Sequence, residues 1–250
     1  MGSIVRGPLL REGKSKQLFL ALNEDGSVDR KRVVLHYKDD ATAFNGVKFD
    51  VVKDKGTVNA AISWHLTRLL EEEGGIRTHL IRKLSTVEHL CHNVEIIPVE
   101  VVVRNLVAGS AAKRFGRIEG EVLVEPMVEY FYKSTPLNDP HIGEVHALAF
   151  GWAERWELEF MKSSALAINE ILRGYWSGWD LDLVDFKIEF GRSLSGTILL
   201  ADEISPDACR LWEKGTRRKF DKDVFRRDLA DLGDTYRELY ARIFGKNVGA

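Results

Sequence analysis

The chain has 250 residues, of which 44% are hydrophobic and 30% are charged. These proportions are ordinary for a folded globular protein and exclude disorder on compositional grounds. The formal net charge of −2 supplies no overall field that would attract nucleic acid or an acidic membrane, so we expect neither as a partner. Two cysteines and the absence of an apolar run of about 20 residues predict a cytoplasmic protein without a disulfide framework.

Short strands followed by a helix are predicted for residues 1–90. Residues 14–20 and 32–37 are rich in apolar side chains, and a polar turn at residues 23–26 separates them. Thr57 is a suitable cap for the helix that follows, in which apolar residues recur at helical spacing as far as Gly74-Gly75. This part of the chain is predicted to be an N-terminal lobe.

The remaining residues, 91–250, are predicted to form a larger lobe. Residues 94–104 are dominated by Val and Ile, which indicates a strand buried on both faces. A long amphipathic helix over residues 152–176, a hairpin over residues 183–204 and helices in the last forty residues follow. The fold class predicted is α+β, with two lobes, a boundary near residue 90 and a cleft between the lobes.

The most informative segment is the predicted strand from Val184 to Gly191. Side chains alternate between the two faces of a strand, so Asp185, Lys187 and Glu189 share one face, opposite three apolar residues. This pattern is typical of a site that binds charged ligands. It is also typical of a surface strand whose polar side is solvated, and the segment alone does not decide between the two.

Asp202 follows the partner strand of this hairpin. An even-numbered connecting loop places Asp202 on the face of Asp185 and Glu189, whereas an odd-numbered loop places it on the other face. Carboxylates on one face repel each other unless a cation neutralises them, and Mg²⁺ prefers one or two carboxylates together with substrate phosphates. Glu189 and Asp202 are therefore candidate Mg²⁺ ligands. Lys187 between them suits a phosphate or a carboxylate of a substrate.

A second candidate site begins with Arg104 at the end of the Val-rich strand. Gly109 and Ser110 then form a turn that is predicted to open a helix, whose first N–H groups are donors for an anion. A guanidinium suits a phosphate or carboxylate through two parallel hydrogen bonds. The alternative is that Ser110 only caps the helix and that Arg104 lies on the surface.

Two further segments are weaker on their own. Lys14 and Lys16 in Gly13-Lys14-Ser15-Lys16 share one face of a predicted strand and suit nucleotide phosphates, although a basic surface strand explains them equally simply. The P-loop pattern is absent. Residues 138–141 form a polar turn with no assigned chemistry.

In order and spacing, these segments resemble the signatures of the SAICAR synthetase family, the phosphoribosylaminoimidazole-succinocarboxamide synthases. The resemblance runs from about residue 11 to residue 228. The segments that carry it are Gly13 to Lys16, Ile97 to Arg104 with Ala108 to Ser110, Asp139 to His141, Asp185 to Gly191, and Asp202 to Asp207 with Arg210 to Trp212.

The resemblance implies a reaction and its cofactors. With Mg²⁺, ATP phosphorylates the carboxylate of carboxyaminoimidazole ribonucleotide (CAIR), and the amine of L-aspartate attacks the resulting acyl phosphate. The products are the succinocarboxamide SAICAR, ADP and phosphate. Phosphorylation supplies the leaving group that a carboxylate lacks, so no covalent enzyme intermediate is required. The family also implies an ATP-grasp-like nucleotide lobe, and a homodimer is possible by the same analogy.

The resemblance assigns roles residue by residue. Lys14 and Lys16 contact ATP phosphates, and Glu189 and Asp202 hold Mg²⁺. Residues at the ribonucleotide are Arg104, Ser110 and Arg210. Residues near the reacting carboxylate are Asp185 and Lys187. A weaker assignment puts Asp139 and His141 on the aspartate side. The chain departs from many relatives at Phe44 and Asn45, where smaller or acidic residues are usual.

Two other functions use the same features. A small-molecule kinase would share the Lys and carboxylate residues but release a phosphorylated product, and it leaves Arg104 and Ser110 without an explanation. A regulatory nucleotide-binding protein without catalysis is the other alternative, although every charged position of the two main signatures is filled. An assay with ATP, Mg²⁺, CAIR and aspartate separates the three.

Overall fold

The computed structural model describes residues 4–245 and 248–249, apart from the side chain of Asn45. Three antiparallel strands and a short hairpin come first: β1 (Val5–Glu12), β2 (Lys16–Leu22), β3 (Val28–Tyr37), β4 (Asp40–Ala43) and β5 (Lys48–Val51). Helix α1 (Lys55–Gly74) follows, and then β6 (Leu80–Lys83) and β7 (Glu88–His92). Five of these strands form an antiparallel sheet in the order β1-β2-β3-β7-β6, which ends two residues beyond the predicted lobe boundary.

The strands of the second sheet lie in the rest of the chain, with helices between them. The elements in the middle of the chain are β8 (Val94–Ile96), β9 (Val99–Leu106), α2 (Ser110–Phe115), β10 (Val122–Tyr132), β11 (His141–Ile142), α3 (Glu144–Ala149) and α4 (Arg155–Gly178). The remaining elements are β12 (Leu181–Ser193), β13 (Ile198–Ala201), β14 (Cys209–Glu213), α5 (Asp223–Arg226) and α6 (Leu232–Phe244). The strand order is β11-β10-β9-β12-β13, and β14 and β8 also pair with β12. The long strand β12 is therefore the centre of this sheet.

Strands β9 and β12 each present one apolar and one polar face. Val101 and Val103 pack with Phe186 and Ile188 in the main core, together with Met161 and other buried residues of α4. Arg104 is paired with Asp185, so the even-numbered residues of β9 lie on the same face as the odd-numbered residues of β12. The apolar face is thus covered by α4, and the opposite face is left for charged side chains.

The two sheets are joined where β13 meets the segment before β6. Thr78 forms a parallel bridge with Leu200, and the N–H of His79 donates to the carbonyl of Leu200 at 2.8 Å. This junction brings the end of β13 against the start of β2, so Lys16 of the first sheet lies beside Asp202 of the second.

Several predicted boundaries are corrected by the structure. The strand predicted over residues 94–104 is interrupted at Pro98, which has no N–H to donate, and forms β8 and β9. Helix α1 begins at Lys55, so Thr57 is not its cap; Asp54 precedes it in a left-handed conformation (φ 66°). The helix predicted over residues 152–176 begins at Arg155 and ends at Gly178.

In the described part of the last forty residues, the helices are α5 and α6, and Phe225 belongs to α5. The strands β1 and β14 were not predicted. The mixed α/β architecture is confirmed. Among the described residues, no helix is both long and apolar enough to cross a membrane.

Stability is expected to fall in acid because of His89, which is buried against the rings of Tyr37 and Trp64. Burial lowers the pKa of His89 to about 3, and the charge of Lys83 acts in the same direction. At pH 5 the imidazole is therefore protonated in the unfolded chain and neutral in the folded chain. His89 alone lowers the free energy of unfolding by about 2 kcal/mol between pH 7 and pH 5. His89→Phe should remove that part of the loss in urea unfolding at the two pH values. An unchanged pH dependence would contradict the assignment.

Candidate functional site

A pocket of about 220 Å³ opens on the polar face of the second sheet. Its floor is built from four adjacent strands, β10, β9, β12 and β14. The charged residues that line it are Glu100, Arg104, Asp185, Lys187, Asp207, Arg210 and Arg226. Because directly paired residues share a face, the register of these strands explains why the charges meet.

Asp185 lies at the centre of this arrangement. It is paired with Arg104 on β9 and with Arg210 on β14. Nη1 of Arg104 donates to its Oδ2 at 2.5 Å, and Nη1 of Arg210 donates to the same oxygen at 2.8 Å. Asp185 is only 3% exposed. It therefore orients two arginines, Arg104 and Arg210, on the pocket floor.

Arg104 is itself almost fully bonded. Its Nε donates to Glu129 at 2.6 Å, Nη1 also reaches the carbonyl of Ala108 at 3.4 Å, and Nη2 donates to the hydroxyl of Ser110 at 3.0 Å. With the bond to Asp185, four of the five N–H donors of the guanidinium are used. The alternative of a surface Arg104 is wrong, since the residue is buried.

Ser110 is the first residue of α2, and Gly109 occupies the capping position with φ 55°. No side chain caps this helix, so the alternative that Ser110 is merely a cap is wrong. A Cβ built on Gly109 would lie 2.6 Å from Nη2 of Arg210. The glycine thus lets the guanidinium of Arg210 rest against the backbone beside Ser110.

The resemblance places the ribonucleotide at Arg104, Ser110 and Arg210. On that expectation, Gly109→Ala should weaken ribonucleotide binding by about tenfold or more, because displacing Arg210 removes a charge-assisted contact. Gly116→Ala controls for an added methyl group at a positive φ without a clash, because a Cβ there meets nothing within 4 Å. The backbone of Gly116 (φ 62°, ψ 32°) is the left-handed helical conformation, whereas that of Gly109 (φ 55°, ψ −124°) is not, so the readout is the selectivity between ligands. Calorimetric titration of both variants with CAIR and with ATP measures it. A loss of affinity for ATP as large as that for CAIR in Gly109→Ala would contradict the role of Arg210.

Arg210 and Arg226 share a second carboxylate. Nε of Arg210 donates to Oδ2 of Asp223 at 3.0 Å, and Nη1 of Arg226 donates to Oδ1 at 2.6 Å. Burial alone would lower the pKa of Arg210, but Asp185 and Asp223 raise it. A row of alternating charges therefore runs from α5 through β14 and β12 to β9, and continues through Glu129 on β10 to Arg114 on α2.

A lysine–carboxylate cluster adjoins the pocket, and we define it as Lys16, Lys133, Lys187, Glu100, Glu189, Asp202 and Glu203. Lys187 donates to Glu100 at 2.6 Å and to Glu189 at 3.4 Å, and Lys133 also bonds Glu189. Lys16 lies 2.5 Å from both Asp202 and Glu203. Lys187 thus belongs to both the pocket and the cluster.

The lysines and carboxylates of the cluster shift each other's pKa values. Burial would raise the pKa of Asp202, but Lys16, Lys133 and Lys187 hold it well below its usual range. Burial would lower the pKa of Lys187, yet Glu189 and Glu100 raise it well above the usual value. Both groups are therefore charged at neutral pH, and the repulsion between carboxylates expected from the sequence is offset by lysines.

The structure decides between the two faces that the sequence left open for Asp202, and it shows that the placement predicted for Lys14 is wrong. The register pairs Glu189 with Ala201, so Asp202 does not fall on the face of Glu189; it follows the strand with φ 62° and reaches the cluster from there. Lys14 and Lys16 do not share a strand face, because β2 begins at Lys16 and Lys14 lies in the exposed bend before it.

Glu189 and Asp202 offer the hard oxygen donors that Mg²⁺ takes. Both carboxylates are paired with lysine side chains, Glu189 with Lys133 and Lys187 and Asp202 with Lys16. The described residues contain no group of three or more His, Cys, Asp or Glu side chains arranged around one point. Two carboxylates fit an ion whose other ligands are phosphate oxygens and water.

The turn at residues 139–141 lies at the rim of the anion site. Asp139 accepts a hydrogen bond from the N–H of Ser134 at 2.8 Å and so fixes the turn itself. Nε2 of His141 is 3.6 Å from Glu129, and its ring packs on Phe131, which lines the pocket. Burial and then Arg114 lower the pKa of His141.

Sequence reasoning missed several residues that the structure brings into the site. Glu100 and Asp207 lie within segments that resemble the family signatures, but the sequence assigned no role to either residue. Lys133, Glu129, Asp223 and Arg226 lie outside the segments that periodicity singled out. The one available signal was the alternation on β9, which puts Glu100 on the same face as Arg104.

Comparison with known proteins identifies the family of this chain. A sequence model described as SAICAR synthetase matches residues 9–243. The phosphoribosylaminoimidazole-succinocarboxamide synthase of Anoxybacillus flavithermus is 51% identical over 238 residues, which are 95% of this chain and 96% of that protein. The chain belongs to the SAICAR synthetase family. The synthase of the same name from Chlorobium luteolum is 50% identical over 240 residues, covering 96% and 97% of the two chains.

A solved structure agrees with these matches. A Type-2 SAICAR synthetase in complex with ADP has a TM-score of 0.90 and 43% identity, covering 97% of this chain and all of that one. The predicted family is confirmed, and so is an ATP-dependent ligase of purine biosynthesis. Neither the kinase nor the regulatory alternative is supported by these relatives.

Proposed function

We propose that the chain couples L-aspartate to the carboxylate of CAIR, with ATP, to give SAICAR, ADP and phosphate through an acyl phosphate. The observation that carries this proposal is the position of Lys187, which faces the arginine-rich pocket on one side and the lysine–carboxylate cluster on the other. In a ligase of this kind, the γ-phosphate of ATP and the carboxylate of the ribonucleotide must lie next to each other, and a cation between them offsets their charges.

The pocket suits the ribonucleotide. Arg104, Ser110 and Arg210 would bind its phosphate, since one donor of Arg104 and Nη2 of Arg210 have no bond among the described residues. Lys187 would hold the carboxylate at the other end. Asp185 keeps both guanidinium groups in place, as the buried bonds to Arg104 and Arg210 indicate.

The cluster suits Mg·ATP, and residues 1–90 would then form the nucleotide lobe, with the ATP-grasp-like character that the family implies. Glu189 and Asp202 would hold the ion, which neutralises charge on the transferring phosphoryl group when bound. Lys16, Lys133 and Lys187, released from those carboxylates, would bind phosphate oxygens. Lys14 in the adjoining bend would contact the same phosphates.

The reaction then balances as two displacements. A carboxylate oxygen of CAIR attacks the γ-phosphorus, and ADP leaves. The ammonium group of aspartate first gives a proton to water, and the resulting amine attacks the acyl carbon. The bond from that carbon to the phosphate oxygen breaks, phosphate leaves with the former carboxylate oxygen, and the nitrogen gives its second proton to the departing phosphate. Lys187 would stay paired with that oxygen in both steps, and burial of the cluster strengthens this contact. The homodimer and the cytoplasmic location stay predictions.

The proposed function is tested by asking which substrates release ADP. With purified protein, ATP and Mg²⁺, we expect ADP and SAICAR in equal amounts only when CAIR and aspartate are both present. Chromatography of the products measures both. Stoichiometric ADP with CAIR alone and a stable phosphorylated product would favour the kinase, and no turnover with all substrates would favour the regulatory protein.

A further inference from the structure

We propose that His79 is a positioning residue for Asp202: its imidazole holds the backbone of Asp202 in the conformation that directs the carboxylate towards the metal site. The proposal rests on the proposed function, because Asp202 is a ligand of Mg²⁺ there. His79 directly precedes β6, and Asp202 directly follows β13. The two residues are 123 positions apart in the chain and meet where the two sheets join.

The contact between them is a hydrogen bond from a side chain to the backbone. Nε2 of His79 lies 3.0 Å from the carbonyl oxygen of Asp202. A carbonyl oxygen only accepts, so Nε2 carries the proton and donates it. His79 is 9% exposed, and burial lowers its pKa to about 4, so the ring is neutral at pH 7 and has a single N–H to donate.

The imidazole replaces a backbone donor at the end of a short parallel pairing. The N–H of His79 donates to the carbonyl of Leu200 at 2.8 Å. In a regular parallel pair, the next bond would run from the N–H of residue 81 to the carbonyl of Asp202. Strand β6 pairs with β7 instead, and the carbonyl of His79 accepts the N–H of His92 at 2.6 Å. The side chain of His79 thus supplies the donor that the backbone does not.

The backbone of Asp202 needs such support because it is in the left-handed region, with φ 62°. This conformation is unfavourable for a residue with a Cβ, and it persists where the surroundings fix it. The pairing of β12 with β13 ends at Glu189 and Ala201, so the sheet itself does not fix Asp202. The hydrogen bond from His79 holds the peptide directly after this turn.

The side-chain contact of Asp202 does not replace this support when metal is bound. Lys16 lies 2.5 Å from both Asp202 and Glu203. Under the proposed function, Lys16 turns to phosphate oxygens once the carboxylate of Asp202 binds the ion. The bond from His79 involves only the backbone carbonyl, so it is the same with and without the ion.

A purely structural role in joining the two sheets is the alternative. The junction also contains the parallel bridge between Thr78 and Leu200 and the backbone bond of His79 itself. Both remain when the imidazole is replaced. Loss of the side-chain bond is therefore expected to act on Asp202 and on the metal site rather than on the junction.

The test compares three substitutions of His79 in the full-length protein. His79→Phe keeps a ring but has no donor. His79→Gln places an amide N–H as many bonds from the backbone as Nε2, whereas the amide of His79→Asn is one bond shorter. We expect His79→Phe and His79→Asn to raise the Mg²⁺ concentration for half-maximal rate about tenfold or more, while the KM for CAIR changes less than about twofold. His79→Gln should stay within about threefold of the unmodified protein.

His89→Phe is the matched control for the loss of a buried histidine from the first sheet. The ring of His89 packs on Tyr37 and Trp64, and this variant should keep the normal Mg²⁺ dependence.

Two readouts without turnover complete the test. Mg·ATP stabilises the folded protein by mass action, so the difference in Tm between ATP with Mg²⁺ and ATP with EDTA should shrink in His79→Phe and persist in His79→Gln. Long-range ¹H–¹⁵N NMR of the unmodified protein without ligand reports the tautomer, and we expect the proton of His79 on Nε2.

Three results would overturn the inference: normal Mg²⁺ dependence in His79→Phe, equal losses in His79→Gln and His79→Phe, or a proton on Nδ1 of His79. If His79→Phe does not fold, the same comparison between His79→Gln and His79→Asn decides. If the unmodified protein forms no SAICAR or turns over equally without Mg²⁺, the proposed function fails instead. The two failures are therefore distinguishable.

Discussion

Glu189→Gln and Asp202→Asn are each expected to lower kcat by about 10²-fold or more. Each change keeps the size of the side chain but removes a negative charge from the proposed Mg²⁺ site, and a metal ion contributes several kcal/mol to the transition state. The dependence of the rate on Mg²⁺ concentration should shift to higher values as well. Initial rates of ADP release at several Mg²⁺ concentrations measure both effects.

The same variants should be less stable without ligand, by about 1–2 kcal/mol. The sequence alone suggests the opposite, since removing a carboxylate from a crowded face relieves repulsion. In the structure, however, Glu189 bonds Lys133 and Lys187, and Asp202 bonds Lys16, so neutralising either carboxylate removes ion pairs of the cluster. Lys16 keeps Glu203 and Lys187 keeps Glu100, so the loss is partial.

Glu170→Gln is the control for both measurements, because Glu170 is an exposed carboxylate of α4 whose side chain is 70% accessible. It should leave turnover and stability unchanged. Normal turnover with normal Mg²⁺ dependence in either site variant would show that the residue is not a metal ligand. Higher stability without ligand would show that the lysines do not offset the charge.

Arg104→Ala is expected to have the largest effect on stability, about 3–5 kcal/mol. The reason is that it leaves Asp185 and Glu129 buried, the latter only 4% exposed, with part of their charge unpaired. Binding of CAIR should be lost beyond the effect of Gly109→Ala, whereas the folded fraction should still bind ATP. Ser110→Ala should weaken CAIR binding in the same direction but more mildly.

Arg173→Ala controls for the loss of an arginine, because Arg173 is half exposed and pairs with Glu170 on the same helix. An exposed ion pair contributes at most about 1 kcal/mol, so this variant should unfold almost normally. Urea unfolding and calorimetric titration with CAIR and ATP measure the differences. Equal loss of affinity for both ligands in Arg104→Ala would place the residue outside the ribonucleotide site.

The face shared by Asp185, Lys187 and Glu189 could be predicted because alternation along a strand is a local property. The pairing partners of that face could not be predicted in the same way. Register depends on the turn, and the pairing of Glu189 with Ala201 shows that a shift of one residue changes which side chain faces the site. Asp202 reaches the cluster through a left-handed backbone conformation that no periodicity reveals.

Site residues that come from elements distant in the chain could not be predicted from the sequence for a similar reason. Glu129 belongs to β10 and Lys133 to the segment after it, and the pairing of β10 with β9 brings Glu129 to Arg104 and Lys133 to Glu189. Arg226 depends on the placement of α5 beside β14. The core, by contrast, follows from local apolar patterns, which is why the strands β9 and β12 and helices α1 and α4 were predicted within a few residues.

The central claim is that the ribonucleotide carboxylate is activated by phosphoryl transfer before aspartate attacks. Its most direct test uses CAIR labelled with ¹⁸O in the carboxylate, with ATP, Mg²⁺ and aspartate. We expect one labelled oxygen to leave with the inorganic phosphate for each SAICAR formed, as measured by mass spectrometry of the phosphate. Phosphate free of the label, with SAICAR formed at the normal rate, would contradict it.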